Sequence, residues 1–340
     1  MRSAQFIMLS EIHGFETMQR VDFALLKQLN SELGVRIYLA ELSPAQAAAF
    51  NMYVVGEEER YAREVFDFWA ADAAQWGNRE FFNKLSAIRE LNEALPEEGK
   101  IRFIGTDRIY DLEFAETMRN ILEAGVPTGA ELSFATTEGV QAINASLLEA
   151  NLERNLPDER YSNILPNMDF VAALPEAANE QFYGLWGIFH GSKGPVSGVD
   201  PLARRLNADG GAFAGRLLSV SSLCIENCEN LMSAGGLPGF LQGDDGEEYT
   251  VLPLAYDQTY IARIRGVGDV KHALEDWDIA MFEISEENSP YMSGPRLSEQ
   301  SGLITLVFPF EYEAAAGFST DYMIAYRNAE PLTPWSGRVA

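Results

Sequence analysis

Apolar residues follow two rhythms along this chain. Short, nearly unbroken runs occur at QFIMLS (5–10), VRIYLA (35–40), IRFIGT (101–106) and FYGLWGIF (182–189). They predict strands over 4–10, 35–41, 101–107 and 182–190. Between them the period lengthens to that of a helix. Met18, Val21, Leu25 and Leu29 predict a helix over 15–33, with Gly34 as its stop. Pro44 opens a second helix carrying AQAAAF, an aromatic-rich helix follows over 58–76, and Phe82, Leu85 and Ile88 mark another over 79–95. Strand, helix and strand in that succession signal a parallel sheet.

Residues 108–180 carry no strand pattern; helical patterns at 111–124 and 138–155 predict a helical insertion beside the sheet. A strand at 216–223 follows a short helix near 200–207, and further strands are expected at 259–264, 278–284, 303–309 and 319–326. A Gly- and Asp-rich stretch from 233 to about 258 reads as a loop or hairpin tip. The expectation is one α/β domain over 1–340, three-layered, with a mainly parallel central sheet and helical insertions.

Composition narrows the function. With 25 Lys+Arg against 51 Asp+Glu the formal net charge is −26, a surface that repels nucleic acid and anionic membranes. The acidic residues are spread along the chain, which reads as a solubility feature. Cys224 and Cys228, in LCIENC, can share a helix face or close a short-loop disulfide; two unconnected thiols are the expected state. No run of about 18 apolar residues predicts a transmembrane helix. No signal peptide is visible, and both a cytoplasmic and an exported location stay open. The oligomeric state is not readable from the sequence.

The chemistry gathers at strand ends. Only three histidines occur, and two of them, His13 and His190, close strand-like runs and precede glycine. Glu41 and Asp107 close two more. In an open α/β sheet, ligands bind beyond the carboxyl ends of the strands, so Glu11, His13, Glu41, Asp107 and His190 are expected in one cleft. Glu11 and His13, two apart on an extended chain, point to the same side and can pair. Gly14 lets the backbone turn sharply behind them. Glu41 can act as a base or hold a histidine in its useful tautomer. His190 can be a second acid/base or an oxyanion donor, with Lys193 adding positive charge. Asn51 and Tyr53 follow the loop after the second strand and are expected at the cleft mouth. His272 reads as an ordinary helix residue.

These segments resemble the superfamily of erythromycin esterase-like, ChaN-like haem-uptake and Tiki/TraB proteins. The resemblance rests on SEIHG (10–14), YLAEL with FNMYVVGEE (38–42 and 50–58), IRFIGTD (101–107), GIFHG with PLARRL (187–191 and 201–206) and DYMIAYRNAEPLTP (321–334). It covers most of the chain in the same order. The esterase branch implies metal-free activation of water by His13, with Glu11 and Glu41 as acidic partners, His190 as second histidine and Arg20 as an arginine lining the site. The chain departs from that pattern: Ser10 stands where the esterases have Gly, and only Ile12 separates Glu11 from His13. That spacing is nearer the ChaN-like branch, which implies bound haem or iron, whereas the Tiki branch implies metal-dependent proteolysis. The favoured expectation is a hydrolase of an ester, lactone or amide that needs no cofactor, acting on a small-molecule substrate. The alternatives are a divalent-metal hydrolase using Glu11, His13, Glu41 and His190, a haem binder covered by the aromatic stretch YAREVFDFWAADAAQW, and a scaffold that has lost its activity.

Overall fold

The computed structural model describes residues 3–154, 159–196, 198–242, 247–257, 263–294, 296–297, 300–301, 315–336 and 339. Strands β1 (Phe6–Glu11), β2 (Ile37–Ala40), β3 (Arg102–Gly105), β4 (Phe182–Gly187) and β5 (Leu217–Glu226) alternate with helices α1 (Glu16–Leu33), α2 (Pro44–Val54), α3 (Glu59–Ala71), α4 (Arg79–Glu93), α5 (Leu112–Gly125), α6 (Thr137–Arg154), α7 (Tyr161–Ala173) and α8 (Leu202–Asn207). A hairpin of β6 (Glu229–Ser233) and β7 (Tyr249–Pro253) follows; then come β8 (Arg263–Ile264), α9 (Val267–Ala273), β9 (Ile279–Glu283), β10 (Gln300–Ser301) and β11 (Tyr322–Arg327). The expected strand at 303–309 lies outside the described residues, as does most of that at 259–264.

Seven strands form the central sheet in the order β3-β2-β4-β1-β5-β11-β9. Every pair in it is parallel except β9 with β11. Helices cover both faces, which is why the central strands read as continuous apolar runs rather than alternating ones. Ile7 and Leu9 of β1 pack into a core with α1 to α5. Phe6 and Met8, pointing the other way, join a second core with α6 to α8. The fold is therefore the three-layer α/β arrangement expected. β1 sits at its centre with β4 and β5 on either side, so the first and fourth strand ends lie next to each other.

Gly14 makes the turn out of β1 possible. Its φ is +109°, and a Cβ there would stand 2.4 Å from the Leu231 carbonyl oxygen of β6. Its own carbonyl accepts from the Leu231 and Leu332 amides, each at 3.0 Å, tying the hairpin and the C-terminal tail to the strand end. Gly14→Ala is expected to cost about 2–3 kcal/mol, read as a lower urea midpoint. An unchanged midpoint would show that these segments are not tied there.

The cysteine expectation is overturned. Cys224 and Cys228 are joined as a disulfide across the β5–β6 turn, with Cα atoms 6.5 Å apart. Neither lies on a helix. Asn227, between the two cysteines, is left-handed at φ +51°.

Candidate functional site

Four neighbouring strand ends supply the side chains. Glu11 closes β1 and is 3% exposed, and His13 follows on the turn. Glu41 comes directly after β2, Asp107 two residues after β3, and His190 three residues after β4. They form two imidazole–carboxylate pairs. His13 Nδ1 lies 3.0 Å from Glu11 Oε1, and His190 Nε2 lies 3.3 Å from Glu41 Oε1.

Arg160, at the start of α7, bridges the set. Its guanidinium donates to both Asp107 carboxylate oxygens and to Glu41, and Nη1 stands 3.1 Å from His190 Nε2. The Tyr161 hydroxyl meets His190 Nδ1 at 3.0 Å, and Tyr110 donates to Asp107 at 3.2 Å. Glu41 also accepts from the Gly187 amide. A side chain at Gly187 would crowd the site, because a Cβ there would stand 2.9 Å from His13 Nε2 and 3.6 Å from Glu41 Oε2.

Electrostatics sorts the roles. Burial works against a charged His13, but the hydrogen bond and charge of Glu11, with the charge of Glu41, outweigh burial and Arg160 and lift its pKa above the ordinary histidine value. Burial likewise opposes ionised Glu41, yet His190, Arg160 and His13 hold its carboxyl well below the usual carboxylate range. Glu41 therefore serves as a fixed negative charge. Burial alone would loosen the Arg160 proton; Glu41 and Asp107 hold it more tightly than in water.

The floor of the cleft is lined by Glu11, His13, Gln19, Tyr38 and Lys84, and Trp76 stands beside it with its ring centroid 5.2 Å from that of His13. Glu11 Oε2 and Gln19 Oε1 are buried there with no donor among the described residues, so the floor takes a donor such as water. A second cavity of about 150 Å³ adjoins it, with Glu41, Asp107, Arg160 and Trp76 in its wall.

Four residues expected at the site lie elsewhere. Arg20 is on the outer face of α1, its side chain 66% exposed and paired with Glu16 at 2.8 Å. Asn51 and Tyr53 stand on α2, which begins at the end of β2 and carries them away from it; seven residues of helix span roughly 10 Å. Asn51 instead clamps the backbone of Phe103, and Tyr53 meets Ser86 at 2.9 Å. After His190 the chain packs over Ser10, so Lys193 reaches Asp321 before β11 rather than the cleft. The aromatic stretch at 58–76 is largely a core helix, with Phe66 fully buried and Trp69 at 7% exposure. Arg160, Tyr161 and Tyr110 complete the site without any sequence pattern to announce them, and Trp76, the last residue of the aromatic stretch, joins them. His272 is exposed, beside Glu275.

No protein-family model and no curated protein sequence matches the chain. Solved structures do match. A Bacillus cereus protein superposes with a TM-score of 0.59 at 14% identity, over 98% of this chain and 90% of that one. A succinoglycan biosynthesis protein gives 0.60 at 12% identity, over 97% and 89%. An erythromycin esterase, the EreC mutant in its open conformation, gives 0.58 at 10% identity, over 98% and 92%. Identities this low speak for the fold and no further: the chain has the erythromycin esterase-like fold that its strand-end motifs resemble.

Proposed function

We propose that the protein is a hydrolase of esters, lactones or amides in which His13 activates water. One observation carries this reading. His13 Nδ1 is held by a buried carboxylate, while Nε2 faces the cleft and makes no hydrogen bond among the described residues. That is the geometry of a general base whose tautomer and orientation are fixed from behind.

In the proposed reaction His13 Nε2 takes a proton from water as the hydroxide adds to the carbonyl carbon. The tetrahedral oxyanion is met by Arg160. Its guanidinium has five N–H groups. Those on Nε and Nη2 go to Asp107 and Glu41, which leaves Nη1, beside His190, to donate to the oxyanion. The protonated His13 then returns its proton to the leaving alkoxide or amine. The carbonyl–heteroatom bond breaks, and acid and alcohol or amine result. Arg160 takes the part that the sequence suggested for Lys193.

The alternatives fit less well. A divalent metal would need Glu41 and His190 as ligands, but both are already engaged by Arg160, whose positive charge stands between Glu41 and Asp107. The donor set therefore does not suit a metal. Haem needs a slot larger than a cavity of about 150 Å³.

The test is a panel of aryl esters, lactones and anilides, assayed with and without chelator. Chelator-insensitive turnover of at least one class is expected. No turnover across the panel overturns the reading, and activity lost to chelator and restored by a divalent ion replaces it with metal-dependent hydrolysis.

A further inference from the structure

We infer that the cavity beside His13 recognises a substrate carrying a cationic ammonium group. This rests on the hydrolytic reading for the position of the scissile bond, while the binding claim stands on the cavity itself.

The wall is aromatic on one side. Phe68, Trp69, Trp76 and Tyr110 line it, and Trp76 also faces the floor where His13 lies. A ligand stacked on Trp76 therefore reaches both spaces at once. Trp76 is 38% exposed, a large ring left open to solvent at the cavity rather than packed in a core, whereas the Tyr110 ring is covered by the Arg108 guanidinium, 4.7 Å from its centroid. Aromatic faces of this kind attract cations, and quaternary ammonium above all.

The charges agree. Three carboxylates, Glu41, Asp72 and Asp107, face the cavity against one guanidinium, Arg160. Arg160 pairs with both Glu41 and Asp107, so negative charge is in excess and Asp72 is the carboxylate outside that pairing. Asp72 has no hydrogen bond or ion pair with a side chain among the described residues. It also sits at the C-cap of α3, where the helix dipole repels a negative charge. Asp72 is exposed at the rim of the aromatic cavity, where a cationic ligand would supply the positive charge that its helix end lacks.

The experiment compares choline with its uncharged isostere 3,3-dimethyl-1-butanol, using intrinsic tryptophan fluorescence and calorimetry on the whole chain. Choline is expected to bind roughly tenfold more tightly than the alcohol. Asp72→Asn is expected to erase that preference without lowering the urea midpoint, since it removes a charge the helix end disfavours. Trp76→Leu is expected to remove the fluorescence change. Equal affinity for the two probes, no choline binding, or an Asp72→Asn variant that keeps the preference would each overturn the inference. The aryl acetate and the acetyl esters of both probes separate the two claims. Choline binding with no turnover of these esters or of the lactones and anilides sinks the hydrolase and leaves the cation site standing. Equal kcat/KM for the two acetyl esters keeps the hydrolase and sinks the cation site.

Discussion

His13→Ala is expected to lower kcat/KM by about 10²- to 10⁴-fold, the usual contribution of a positioned general base. Circular dichroism should show no loss of fold, since the His13 ring lines an open cleft rather than a core. Turnover equal to that of the parent protein would remove His13 from the mechanism. The pH profile separates a base from a merely structural residue. The neutral imidazole is the working form, and Glu11 and Glu41 raise its pKa. The acid limb of kcat/KM should therefore lie above the ordinary histidine value near 6.5. Glu11→Gln removes the main raising influence, so the limb should move to lower pH while the maximal rate falls. A limb that stays in place would dissociate Glu11 from the titrating group. Stability follows the same linkage. Protonated His13 stabilises the fold below the unfolded value near 6.5, and that contribution is lost as pH rises through the higher folded value. His13→Ala should flatten that part of the stability curve.

Sequence and structure agree where a local rule suffices. The runs that became β1 to β4 were legible because strands covered on both faces have no polar alternation to blur them. Glu11 and His13 are legible as a pair because the strand rule puts residues two apart on one side, although His13 itself stands on the turn just past β1. Glu41, Asp107 and His190 followed from one further rule, that ligands gather at the carboxyl ends of parallel strands. What was lost depends on where the chain goes after leaving the sheet. Asn51 and Tyr53 look close to Glu41 in sequence, but α2 carries them down the layer. Lys193 is three residues past His190, yet the loop folds over Ser10 to Asp321. Arg160 is the reverse case. It lies 119 residues from Glu41 in a helical segment without a motif, and only tertiary packing places its guanidinium between two strand ends. The disulfide likewise spans a left-handed Asn227, a conformation that the sequence permits but does not require.

Lys84→Met is expected to destabilise the protein by about 3–5 kcal/mol, the cost of breaking a buried ion pair from one side. Lys84 Nζ lies 2.6 Å from Asp22 Oδ2, with the two side chains 2% and 0% exposed. Asp22 also accepts from Tyr38 at 2.9 Å and Tyr183 at 2.7 Å, and the Tyr38 oxygen accepts the Leu185 amide at 3.0 Å. Burial pushes both phenol pKa values far up, so these tyrosines remain donors. Methionine fills the lysine stem but leaves the fully buried Asp22 carboxylate with two neutral partners. The loss should appear as a lower urea midpoint at unchanged slope. Because the penalty lies in the stranded charge, a second exchange of Asp22→Leu should recover much of the loss, giving a coupling of about 0.5–3 kcal/mol between the sites. A single-variant cost under about 1 kcal/mol would refute the buried ion pair. The same network bears on the cleft. It joins α1, α4, β2 and β4, and its members Tyr38 and Lys84 line the cleft floor together with Glu11. A double variant that regains stability but still hydrolyses slowly would show that the network also fixes the position of Glu11 behind His13, whereas full recovery of both would confine it to stability.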